Sequence, residues 1–258
     1  MEQLALLVCA TAAEIAIILL MIRGRVFRSF PVFFFYLCWS LCSDVLLYYL
    51  EVRFPASFLK IYLVQLIVDS VMIFALLVEV AWSVLRPIRN SLPKYSLIGI
   101  AVLIAVSGLI LWPVAGLVVP YNLTSTGMDL FRVQQTPAIV RAVFFLALAG
   151  FSQFLSIGWR DRELQIATGL GFYSIVSLAV TTLHTHQMSG TQAYHWLDVI
   201  NGASYVAALL YWVYVFAKQP AERREFTPQM QSMLLAVAGA ARTARVGLSE
   251  AGPDHPRK

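Results

Sequence analysis

Residues 95–119 read YSLIGIAVLIAVSGLILWPVAGLVV, 25 positions without one charged side chain. A helix rises 1.5 Å per residue and needs about 20 mostly apolar residues to cross a bilayer's hydrocarbon core. This stretch is therefore predicted to be a membrane-spanning helix. Working outward, six more stretches meet the same requirement, at about 3–22, 30–50, 58–85, 134–158, 164–185 and 193–217. In lipid every backbone polar group must be satisfied internally, and the strict apolar/polar alternation of a transmembrane β-barrel is missing. The expected fold is all-α: a polytopic membrane protein with a seven-transmembrane-helix bundle over 1–217 and a basic cytoplasmic tail over 218–258.

Composition agrees. Of 258 residues, 59% are hydrophobic and 13% charged, against about 25% charged in soluble domains. That balance excludes a soluble enzyme, a disordered chain and a nucleic-acid-binding domain, despite a net charge of +5. The lipid bilayer is the first partner. Cys9, Cys38 and Cys42 lie in apolar runs and read as packing residues rather than a disulfide framework. The first span carries a glutamate and no basic leader, so it reads as retained rather than cleaved.

Loop charges predict the orientation. Arg23, Arg25, Arg28, Arg86, Arg89, Lys94, Arg160, Arg162, Lys218, Arg223 and Arg224 place eleven basic residues on one side. Arg53, Lys60, Arg132 and Arg141 place four on the other. Basic loops stay cytoplasmic, so the N-terminus is expected outside and the C-terminus inside. Arg141, near the expected start of the fifth span, reads as a side chain snorkelling to the headgroups. In the tail, Thr227-Pro228 has the pattern of a helix start, and Met230, Met233, Leu234 and Val237 follow at spacings of three, one and three. The segment 228–245 is a candidate amphipathic helix on the anionic inner leaflet, with a solvated tail as the alternative. No kinase, cyclase or phosphatase module is expected in it, so any output would pass through a cytoplasmic or membrane signalling partner.

Arg28-Ser-Phe-Pro31-Val-Phe-Phe-Phe-Tyr36, Val78-Glu79-Val80-Ala-Trp82 and Ala167-Thr-Gly169-Leu-Gly171-Phe-Tyr173 resemble recurrent patterns in seven-helix membrane proteins of acidobacterial genomes. The layout is similar to the seven-helix sensory modules that precede some bacterial histidine kinases. The resemblance implies a multi-pass protein of a bacterial inner membrane and carries no established activity with it.

Ionisable groups inside a bilayer cost about 2.5–3.5 kcal/mol each on insertion scales, so they should face the bundle interior. Glu14, Asp44, Asp69, Glu79 and Asp198 are such groups. Ser40, Asp44 and Tyr48 repeat every four residues; Gln65, Asp69, Met72, Leu76 and Glu79 continue at spacings of three and four. Tyr173, Ser177, Thr181 and His184 do the same on the sixth span, and His195, Asp198, Asn201 and Tyr205 on the seventh. Each set shares one helix face, so a polar seam through the second, third, sixth and seventh spans is expected. Asp44, Asp69, Glu79, Tyr173, Asp198, Asn201 and Tyr205 are its candidates for ligand binding or a proton relay. The alternative is interhelical hydrogen bonding as packing glue. Ala167 and Gly171 read as a close helix contact.

At the outer mouth, His184, His186 and His195 fall within twelve residues, beside Asp198. Imidazoles with a carboxylate suit zinc, and with Met188 they suit copper. A pH-sensing pair and plain interfacial histidines are the other readings. No catalytic residue is assigned. Retinal is excluded, because the seventh span has no mid-membrane lysine. A sensory or receptor-like module is the leading function. A proton- or cation-coupled transporter, a metal-dependent intramembrane hydrolase resembling ceramidase-type enzymes, and a structural role are the alternatives.

Overall fold

The computed structural model describes residues 2–53, 55–85, 95–116, 125–151, 161–184 and 192–218. Seven α-helices account for nearly all of them: α1 Glu2–Arg23, α2 Pro31–Arg53, α3 Pro55–Val84, α4 Ser96–Ala115, α5 Ser125–Phe151, α6 Arg162–His184 and α7 Gln192–Ala217. One turn of 3-10 helix, Val26–Arg28, links the first two, and no strand occurs among the described residues. Six helices (α1 and α3–α7) are long and apolar enough to cross a membrane, while the apolar run of α2, Pro31–Leu47, is shorter. The chain is thus an all-helical bundle with the character of a membrane protein. The tail segment 228–245 and His186 lie outside the described residues.

Consecutive helices pack side by side, α7 returns against α1, and α3 reaches α2, α4, α5 and α6. That places α3 at the centre of the bundle. By contrast, α4 packs on α3 and α5 and turns Leu103, Leu109 and Ile110 outward. Outward apolar side chains are what a lipid-facing helix requires, since lipid is as apolar as the side chains themselves.

The bundle has two unlike halves. The main apolar core gathers Ile17 and Met21 late in α1, Phe33 and Leu37 early in α2, Leu76 and Val80 late in α3, Leu164 and Ile166 early in α6, and Leu209 and Trp212 late in α7. All belong to the end at which α1 finishes and α2 begins, here called the Arg23 end. The Phe33 ring meets Trp212 edge-on at 5.1 Å. The polar side chains that line cavities lie in the other half, toward the end of α6, here called the His184 end, while the Arg23 end buries Asp161 and Glu163, the latter accepting the Ser83 hydroxyl at 2.7 Å.

Two glycines of α6 permit its close approach to neighbours. A Cβ at Gly169 would fall on the Trp212 indole, and one at Gly171 on the Phe145 side chain. Ala167 is buried on the same helix. These small residues let α7 and α5 pack ring against backbone.

Arg141 departs from its snorkelling expectation. Helix α5 begins at Ser125, so Arg141 lies 16 residues, about 24 Å, into it. It is 8% exposed and faces the interior.

Candidate functional site

The polar half encloses two neighbouring cavities. The larger, about 330 Å³, is bounded by Tyr36 and Ser40 of α2, Gln65 and Asp69 of α3, Arg141 of α5 and Tyr205 of α7. The second, about 270 Å³, runs along α5, α6 and α7 past Gln135, Thr181 and Asn201 to His184 and Asp198. Gln134, Arg141 and Tyr173 line both. Arg141 and Tyr173 thus stand at the junction, with the guanidinium carbon 5.7 Å from the ring centre. Tyr173 in turn packs against Tyr205, ring centres 5.2 Å apart.

Several buried polar atoms here have no partner among the described residues: Gln65 Oε1, Gln135 Oε1, Arg141 Nε and Asn201 Oδ1. Buried polar groups are nearly always hydrogen-bonded, and these four belong to residues that line the two cavities. Gln135 spends its amide N–H on Thr181 Oγ1 at 3.3 Å, which leaves its oxygen to be satisfied from the cavity.

The carboxylates take different roles. Asp69 lines the larger cavity and accepts the Trp39 indole N–H at 2.6 Å. Glu14 sits one layer behind, fully buried, and accepts the Tyr205 hydroxyl and that of Ser40, the latter at 3.1 Å. Both hydroxyls line the larger cavity, so Glu14 is coupled to it through them. Glu79 lines neither cavity. Its two oxygens accept the backbone N–H groups of Val32 and Phe33 at 2.8 and 2.9 Å. Those N–H groups open α2, where the first turn has no intrahelical acceptor, and a carboxylate there also meets the positive end of the helix dipole. Glu79 is a cap supplied by a neighbouring helix. Asp44 belongs to α2, and its side chain lies outside the described part of the structure.

At the His184 end, His184 Nε2 stands 3.6 Å from Asp198 Oδ1 and 3.3 Å from the Tyr194 carbonyl, with its ring stacked on Tyr194 at 4.0 Å. Asp198 and His195 are exposed. Among the described residues no three His, Cys, Asp or Glu side chains converge on a metal-sized point. His184 and Asp198 supply two donors where a zinc site uses three or four.

The seam stripes predicted from spacing thus meet across the cavities: Ser40, Asp69, Tyr173, Thr181, His184, Asp198, Asn201 and Tyr205 all line one or the other. Arg141, Gln134 and Gln135 of α5 complete the walls; the sequence placed Arg141 at the headgroups and did not single out the two glutamines. Their signal was available: a solitary cation between Thr136 and Gly150, preceded by two adjacent glutamines about two turns earlier.

No protein-family model, curated protein or solved structure matches the chain. The site therefore has to be read from its own chemistry.

Proposed function

We propose that this protein is a seven-helix receptor-like module of a cell membrane, binding a small polar ligand between its helices and passing the bound state to a partner. One observation carries the reading: the polar cavities occupy one half of the bundle, and a packed apolar core closes the other. A channel needs a polar path through both halves. A cavity open toward one face and stoppered beneath suits recognition instead.

In this reading α2 is the seventh span, since its 23 residues extend about 35 Å against a hydrocarbon core of about 30 Å. The His184 end faces outward and the tail inward, as in the seven-helix sensory modules the sequence resembles. With Arg141 taken out of the loop tally, the basic residues stand eleven to three in favour of that orientation. The step from ligand to output runs through Ser40 and Tyr205 to Glu14, which borders the core residues Ala13 and Ile17 in the chain, and through Asp69 to Trp39.

The test is binding without accumulation. A screen of small polar metabolites against the purified protein should yield a compound that raises its thermal midpoint and perturbs tryptophan fluorescence, with the response lost in Asp69→Asn. Proteoliposomes should bind that compound without concentrating it. Accumulation abolished by Asp44→Asn would replace the receptor with a coupled transporter. Stoichiometric zinc or copper, lost on replacing His186 and His195, would move the reading to a metal-dependent hydrolase.

A further inference from the structure

Among the polar groups of the cavities, Arg141 is the one whose environment defines a ligand class. We propose that it anchors the carboxylate of a small organic monocarboxylate lodged in the larger cavity. This inference rests on the reading of that cavity as a ligand site.

The side chain is 8% exposed, borders both cavities and keeps its Nε without a hydrogen-bond partner among the described residues. Guanidinium is permanently charged, so it cannot escape burial by losing a proton. A buried cation needs an anion or hydrogen-bond acceptors around it. The cation–π contact with Tyr173 at 5.7 Å offsets part of its desolvation but supplies no acceptor for the Nε–H among the described residues. No ion pair to Arg141 closes within 4 Å among the described residues, although Asp69 is near enough for the two charges to interact; Asp69 already accepts the Trp39 indole at 2.6 Å. The fork matches a carboxylate bidentately.

The rest of the wall selects a single negative charge. Among the described residues Arg141 is the only cation lining the larger cavity, and Asp69 lines it too. With Asp69 offsetting Arg141 across the wall, a phosphate dianion would add two uncompensated negative charges and a monocarboxylate only one. A monocarboxylate satisfies the guanidinium and places its organic part among Tyr36, Tyr62 and Tyr173, which line the same space. About 330 Å³ accommodates a molecule of benzoate size.

The experiment uses the full chain in detergent or nanodiscs and a charge-matched set of probes: benzoate, propionate, benzamide, benzylammonium and inorganic phosphate. Thermal midpoint and tryptophan fluorescence report binding. Benzoate or propionate should shift the wild type while benzamide, benzylammonium and phosphate do not. Arg141→Lys keeps the charge and loses the fork, so carboxylate affinity should fall on the order of 10–100-fold. Arg141→Gln should abolish the shift. A response to benzamide or benzylammonium with none to the carboxylates overturns the monocarboxylate and leaves a ligand cavity. An equal response to phosphate overturns the selection argued from Asp69. Silence from every probe overturns this inference alone, while the receptor reading is decided separately by the metabolite screen. Should Arg141→Gln unfold the protein, the wild-type panel and Arg141→Lys still decide. A loss of stability in Arg141→Gln that Asp69→Asn restores, with no wild-type carboxylate shift, would make the arginine half of an internal pair and overturn the proposal.

Discussion

Tyr205 and Glu14 stand 191 residues apart in the chain, and the hydroxyl of one donates to the carboxylate of the other. Glu14 is 1% exposed, so its hydrogen bonds have no water to replace them. Removing a donor from a buried acceptor exposes the acceptor's desolvation cost, about 1–3 kcal/mol. Tyr205→Phe should lower stability by that amount, and Ser40→Ala by less, since Tyr205 still donates. Glu14→Gln keeps an acceptor and should be milder than Glu14→Leu, which strands two hydroxyls. Denaturation in mixed micelles measures each. Additive single and double variants at 14 and 205 would show that the pair is not coupled. Glu79 makes the same kind of argument with backbone donors. Glu79→Ala leaves the N–H groups of Val32 and Phe33 without their acceptor and should cost about 1–3 kcal/mol. Amide exchange should rise first at the start of α2; protection unchanged there would mean the cap is dispensable.

At the scale of the helix, α6 is fixed by what its glycines leave out. Displacing the Trp212 indole from Gly169 also strains its N–H bond to the Gln165 carbonyl at 3.3 Å. Gly169→Ala and Gly171→Ala should each destabilise by about 1–3 kcal/mol, the usual cost of overpacking a well-filled contact. Gly99 of α4 has open space where a Cβ would go, so Gly99→Ala should be neutral or stabilising. Equal effects at all three positions would refute the packing account. Apolar run length located the helices, and spacings of three and four located the polar faces of α2, α3, α6 and α7, because both follow from local geometry alone. The placement of Arg141 did not follow. An expected start at 134 puts it within two turns of the interface, whereas the helix from Ser125 carries it deep. Likewise Asp69 and Glu79 share a stripe in the sequence, yet one borders a cavity and the other caps α2. That division depends on where α2 begins against α3, which no periodicity within α3 encodes.

For the whole molecule, the unequal halves predict unequal access. In a background with Cys9, Cys38 and Cys42 replaced by serine or alanine, single cysteines report which depths water reaches. Ser177 and Thr181 line the second cavity, which continues to the exposed Asp198. Ser177→Cys and Thr181→Cys should therefore react with a charged, membrane-impermeant thiol reagent added outside intact cells. Leu76 and Val80 are buried in the apolar core at 0% exposure. Leu76→Cys and Val80→Cys should resist the reagent from either face, because the core admits no water. Labelling at 177 and 181 only from the inside would invert the proposed orientation while preserving the cavity. Labelling at 76 and 80 would instead mean that water crosses the Arg23 half. The stopper beneath the cavity would then be a gate, and the asymmetry that favours recognition over passage would be lost.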